Sequence, residues 1–150
     1  MITTIQTFLN KRLRPARGYQ ANSDEALRSA TAVLLMEVAR ADMEIGDEER
    51  DAIHRLIEAH YDVKSGQAQE LVASAEQLAD DATSLYPFTR LINSECSLGD
   101  RISIVRMLWQ VTYADGHVDA HEEHLVRKVA DLLYVPHREF IRTRLQQGET

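Results

Sequence analysis

Val38-Ala39-Arg40-Ala41-Asp42-Met43-Glu44-Ile45 returns further along the chain as Val111-Thr112-Tyr113-Ala114-Asp115-Gly116-His117-Val118. Sliding the sequence by the distance from Asp42 to Asp115 also lays Glu49 over Glu122, Ile53 over Val126, Leu56 over Val129 and Tyr61 over Tyr134. A shared order of Ala-Asp, a β-branched apolar residue, a Glu and a second β-branched apolar residue at fixed spacing marks an internal duplication. Each copy reads as the end of one helix, a turn and the start of the next. The Asp closes the first helix, and the Glu stands in the opening turn of the second, where the positive end of the backbone dipole favours an acid.

Working outward from these turns, the rest of the chain reads as helices with short connections. Ser23 or Asp24 suits the N-cap of a helix to about Ala41, with Leu27, Ala30, Leu34, Leu35 and Val38 on its buried stripe. Ile45 and Gly46 interrupt it, and a second helix from Asp47 to about Tyr61 buries Ile53, Leu56 and Ile57. A third is expected from Ser65 to Leu78 and a fourth from Ser84 to Cys96, with Asp80 to Thr83 as the turn between them. A fifth opens at Leu98 or Gly99, carries Ile102, Val105, Leu108, Trp109 and Val111, and stops near Ala114. A sixth spans Asp119 to Leu133, and Pro136 suits the first turn of a seventh. The expected fold is all-α: one compact domain over residues 23–150, built as two pseudo-symmetric helix-turn-helix halves joined by the third and fourth helices.

Composition agrees with helices. The 150 residues are 44% hydrophobic but only 6% aromatic, with 6 Gly and 3 Pro, too few turn and ring residues for a many-stranded protein. A chain of this length buries about 70% of its unfolded surface, so neither metal nor disulfide is needed merely to fold. A net charge of −7 repels a phosphate backbone, which argues against nucleic acid as a ligand and favours cations and basic partners. Cys96 is the only cysteine, which excludes an internal disulfide and a multi-thiolate metal site and fits a reducing cytoplasm.

No stretch approaches the roughly 20 apolar residues of a membrane span, and no signal-peptide pattern opens the chain, so a soluble protein is expected. Residues 1–22 form a separate arm. Ile2, Ile5, Phe8, Leu9 and Leu13 stand at helical spacing, followed by Lys11, Arg12, Arg14 and Arg17, the one basic cluster in an acidic chain. Met1 to Arg17 can therefore pack on the domain as an amphipathic helix, or touch an anionic membrane surface.

The acidic turns admit two chemistries. An Asp at a helix C-terminus meets the negative end of the dipole, at a cost of up to about 1 kcal/mol unless something compensates. Backbone N–H groups of the turn are one source of compensation, and Asp119 with Glu122, or Gly46 with Glu49, has the spacing of a capping box. The other is a divalent cation shared by Asp and Glu, since hard cations want oxygen ligands. Its candidate ligands are Asp42 and Glu49 in the first half and Asp115 and Glu122 in the second, with Glu44, Asp47 and Asp119 nearby. An EF-hand is excluded, because Ile53 or Val126 would occupy the position of its bidentate Glu. His117, His121 and His124 make imidazole ligation of zinc or nickel conceivable, though acidic surfaces commonly carry merely solvated histidines.

Other chemistries lack a signature. No Gly-x-Ser-x-Gly, phosphate-cradling loop or dinucleotide fingerprint is present, so no organic cofactor and no enzymatic activity are expected. Lone Cys96 reads as a partly buried small residue, and Trp109 with Tyr113, four apart, as core packing.

The two Ala-Asp turns, the Glu after each, and the ending Glu123-His124-Leu125-Val126-Arg127-Lys128-Val129-Ala130-Asp131-Leu132-Leu133-Tyr134-Val135 together resemble the TerB family of tellurite-resistance proteins. The resemblance covers about Ala26 to Leu145 and is most specific at Ala114-Asp115-Gly116-His117-Val118 with Glu122; the first half departs from it with Met43 in place of Gly. It implies an all-α fold of about seven helices with internal pseudo-symmetry. It also implies a non-enzymatic bacterial stress-response module that binds a divalent cation (Ca²⁺, Mg²⁺, Mn²⁺ or Zn²⁺) through Asp42, Glu49, Asp115 and Glu122. Such a module would act as a scaffold for protein partners, some of them membrane-associated, in the cytoplasm or at the inner face of the membrane. The alternative is a metal-free helical adaptor whose acidic residues are helix caps.

Overall fold

The computed structural model describes residues 20–41, 45–114, 116 and 118–147, with side chains from Asp24 onward. These residues form seven helices and no strand: α1 Gln20–Ala39, α2 Asp47–Tyr61, α3 Ser65–Asp81, α4 Tyr86–Glu95, α5 Leu98–Thr112, α6 Ala120–Leu132 and α7 His137–Gln146.

The run Ala30 to Ala39 is almost wholly small or aliphatic, so α1 can be covered on every side rather than along one stripe. Ala30, Ala32, Val33, Leu34, Leu35, Met36, Val38 and Ala39 are all fully buried, and the polar Ser29 and Thr31 are enclosed with them. The single stripe expected from the sequence is thus too narrow, and its outermost member, Leu27, is only partly buried. A helix apolar all round belongs at the centre of a bundle. It packs there against α2, α3, α4, α5 and α6.

The second central element is α5, which buries Ile104, Val105, Met107, Leu108, Trp109 and Val111 and packs against α1, α2, α6 and α7. Its N-cap, Ser97, accepts a hydrogen bond from the Asp100 N–H at 3.2 Å. Trp109 is fully buried, with Phe140 of α7 at 5.3 Å between ring centroids and Tyr113 at 6.1 Å.

These contacts extend the duplication beyond what was expected. α3 packs on both α1 and α2, as α7 packs on both α5 and α6. The repeating unit is therefore three helices, α1-α2-α3 and α5-α6-α7, with α4 as the single connecting helix. The result is one compact all-α domain around two central helices.

Three helix boundaries differ from expectation. α1 is already helical at Gln20, ahead of Ser23 and Asp24, since no Gly or Pro stands between Gly18 and them to stop the helix from propagating backwards. α3 runs through Asp80 and Asp81, the residues expected to turn; Arg40 reaches Asp80 at 2.6 Å and offsets the acid at the helix C-terminus. α4 begins at Tyr86, after Ser84 accepts a hydrogen bond from the Tyr86 N–H at 3.2 Å, with Pro87 in its first turn.

The end of α6 is closed by several groups. Tyr134 is left-handed, φ 55°, its N–H donates to the Asp131 carbonyl, and the Val135 N–H donates back to Ala130, both at 3.0 Å. This is the Schellman arrangement, with a tyrosine where glycine is usual. Two further carbonyls of that end are met from neighbouring helices: Asn93 donates to Leu132 at 2.9 Å and Arg101 to Leu133 at 2.7 Å.

Candidate metal centre

Each unit brings the end of its central helix, a turn and the first turn of the next helix to one place. In the first unit the helical bonding of α1 runs out through Arg40 and Ala41, whose N–H groups donate to Met36 at 3.0 Å and Val38 at 3.2 Å. Gly46 is the N-cap of α2 and donates its N–H to Glu49 Oε1 at 3.1 Å, the reach-back of a capping box. Asp47 and Glu48 are exposed beside it, whereas Glu49 is only 3% exposed.

In the second unit α5 ends at Thr112, and Gly116 takes φ +83° with its N–H donating to Tyr113 at 3.0 Å. A positive φ of this size is what glycine permits, which explains the Ala-Asp-Gly order at this turn. Asp119 is the N-cap of α6, and its Oδ1 accepts from the His121 N–H at 2.7 Å. Glu122, at the same third helical position as Glu49, is 2% exposed.

Of the four carboxylates singled out in the sequence, Glu49 and Glu122 thus occupy equivalent buried positions. Asp42 and Asp115 lie outside the described residues, as do Glu44, His117 and the segment Met1 to Arg17. Among the described residues no group of three or more His, Cys, Asp or Glu side chains could hold a metal ion. His121 and His124 are exposed on α6, His54 Nδ1 lies 2.9 Å from the Arg50 carbonyl oxygen, and burial holds the His60 imidazole below its ordinary range.

By sequence the acids of both turns offer oxygen, the donor that a hard divalent cation takes. Burial is the feature that fits such an ion. A capping glutamate performs its task equally well at the surface, so the burial of both is a shared feature beyond capping alone.

Sequence reading missed the side chains that brace the turns. In the first unit Arg40 reaches Asp80, and Arg50 forms a two-pronged pair with Glu76 at 3.0 and 3.2 Å, so both cations of the turn tie α3 down. That hydrogen-bonded pair holds the Glu76 carboxyl below the usual carboxylate range. In the second unit the equivalents of Arg40 and Arg50 are Tyr113 and Glu123, and both face Arg144 of α7. Arg144 donates to Tyr113 at 3.4 Å and to Glu123 at 2.7 and 3.3 Å, and lies 5.2 Å from the Trp109 ring centroid. The brace survives duplication with its polarity reversed: cations on the turn in one unit, a cation on the third helix in the other. Beside the first turn, burial pushes the Glu37 carboxyl up against the opposing pull of Arg40.

Two three-helix units, each presenting a buried glutamate just after an acidic turn, define a helical module with a duplicated acidic corner. The family described as tellurite resistance protein TerB matches residues 28–145, most of the chain. The protein belongs to the TerB family. Neither the curated proteins nor the solved structures give a match. Among the described residues no helix is long and apolar enough to cross a membrane.

Proposed function

We propose that the protein is a non-catalytic module that binds a divalent cation at its acidic inter-helix turns and uses the occupied turns as a scaffold for a protein partner. The ligands in this reading are Asp42 and Glu49 in the first turn and Asp115 and Glu122 in the second. One observation carries it: Glu49 and Glu122, equivalent in the duplication, are 3% and 2% exposed. Near-complete burial of a carboxylate twice, at the same position of two units, exceeds what capping requires.

The ion would neutralise acid groups that the fold gathers at a helix end and would rigidify the corner between each central helix and its successor. Ca²⁺, Mg²⁺ and Mn²⁺ match an all-oxygen set best; Zn²⁺ would draw on the nearby histidines. The setting that family membership supports is a stress response in the bacterial cytoplasm, with partners at or near the inner membrane and Met1 to Arg17 as the chain's own membrane contact. Titration calorimetry with each of the four cations tests the metal. Saturable binding to the wild type, reduced in Asp115→Asn/Glu122→Gln and lost when Asp42→Asn/Glu49→Gln is added, supports the reading; its absence from the wild type refutes it.

A second reading is favoured by the hydrogen bonds at both corners, Gly46 N–H to Glu49 and His121 N–H to Asp119. In it the acids are caps, no metal binds, and the acidic surface receives a basic partner. Partner capture that EDTA abolishes would count against this second reading.

A further inference from the structure

The outward side of α7 combines basic and apolar side chains that reach solvent. Phe140 and Thr143 turn inward, 5% and 0% exposed, and seat the helix on α5 and α6. The opposite face carries Arg138, Ile141, Arg142 and Leu145, the spacing that aligns side chains along one side of a helix. All four reach solvent: the arginine side chains are 85% and 63% exposed, Ile141 37% and Leu145 63%.

α7 holds three arginines against a single acid, Glu139, whose side chain is 16% exposed and lies 3.4 Å from Arg142 and 4.0 Å from Arg138. Surface pairs of this kind are weak and readily exchanged. The Arg144 to Glu123 bond, 2.7 Å, ties the end of α7 to the start of α6. In a chain of net charge −7 this is a cationic strip that also exposes two aliphatic side chains, Ile141 between the arginines and Leu145 beyond them.

We infer that the outward face of α7 is a docking surface for an anionic lipid bilayer. The strip lies on the convex outer side of a helix, whereas a peptide helix needs a groove to lie in. The described cavity, about 260 Å³, is elsewhere, lined by Glu25, Arg28, Val63 and Leu71. A plane of acidic headgroups fits such a convex face: arginines pair with phosphates while Ile141 and Leu145 enter the headgroup boundary. The acidic turns do not take part, so this inference stands independently of cation binding.

Co-sedimentation of the full-length chain with vesicles tests it. One vesicle set is pure phosphatidylcholine; the other is an equal mixture of phosphatidylcholine and phosphatidylglycerol. Each basic residue near an anionic surface strengthens binding about fivefold, so Arg138→Gln/Arg142→Gln should weaken pelleting with mixed vesicles by about tenfold or more. Leu145→Asn should weaken it severalfold while leaving the salt dependence unchanged. Both variants alter exposed side chains, and unchanged thermal unfolding verifies their fold. Wild-type protein that stays in the supernatant with mixed vesicles overturns the inference. Variants that pellet like the wild type also overturn it and transfer the contact to Met1 to Arg17. Binding of soluble polyglutamate without vesicle binding would overturn it in favour of an acidic protein partner.

Discussion

Tyr134→Gly should make the protein more stable, although glycine usually weakens a fold. Tyr134 holds φ 55° at the end of α6, and a non-glycine residue in the left-handed region costs about 1–2 kcal/mol. Against that gain, glycine brings about 0.5–1 kcal/mol of extra chain entropy to the unfolded state. Removing the side chain costs little more, because Tyr134 is 74% exposed. The balance is a gain of about 0.5 kcal/mol, or about 1–2 °C in Tm for a chain of this size. Urea unfolding followed by circular dichroism should show a higher midpoint with an unchanged slope. Tyr134→Ala is the control: it keeps a Cβ in the strained position and should gain nothing. An alanine variant as stable as the glycine variant, or a glycine variant destabilised by more than about 1 kcal/mol, would refute strain at Tyr134 as the reason.

Two further perturbations probe the bundle. Burial pushes the Tyr61 phenol up to about 12, opposed by its 2.6 Å hydrogen bond with Thr31. The unfolded chain loses this proton first, at about pH 10, so stability should fall as pH rises from there to about 12, by about 3 kcal/mol, and level off above; Tyr61→Phe should flatten that fall in pH-dependent unfolding. Arg101→Met removes the charged donor on the Leu133 carbonyl and should cost about 1–2 kcal/mol by urea unfolding, with Arg101→Lys recovering part of it.

The duplicated turns made the fold legible. Because the repeat carried its own register, α2, α5 and α6 fell close to their expected places, and Trp109 was recognisable as core. The burial of α1 was harder to read, since a helix covered on every side has no periodicity to betray which face is inward. The register itself slips where the units end. Tyr61 is partly buried and bonded to Thr31, and the left-handed residue is the next one, Asp62; in the second unit it is Tyr134 itself, exposed. A different helix end stops the slide from carrying through to α3 and α7, and so the three-helix unit escaped notice.

At the candidate site the equivalence of Glu49 and Glu122 could be read from sequence, but their burial could not, because acids in a first turn usually face water. Nor could the braces: Arg50 with Glu76 and Arg144 with Glu123 join residues distant in sequence, and the charge reversal between the units hides their kinship.

Paramagnetic broadening of backbone amide signals by substoichiometric Mn²⁺ tests cation binding at the duplicated turns most directly. The amides of Gly46 and Glu49 in one unit and of Asp119 and Glu122 in the other should broaden first, with excess Mg²⁺ or Ca²⁺ restoring them. Broadening spread evenly over the exposed acids, or none at either turn, would contradict a bound ion and leave Glu49 and Glu122 as buried helix caps.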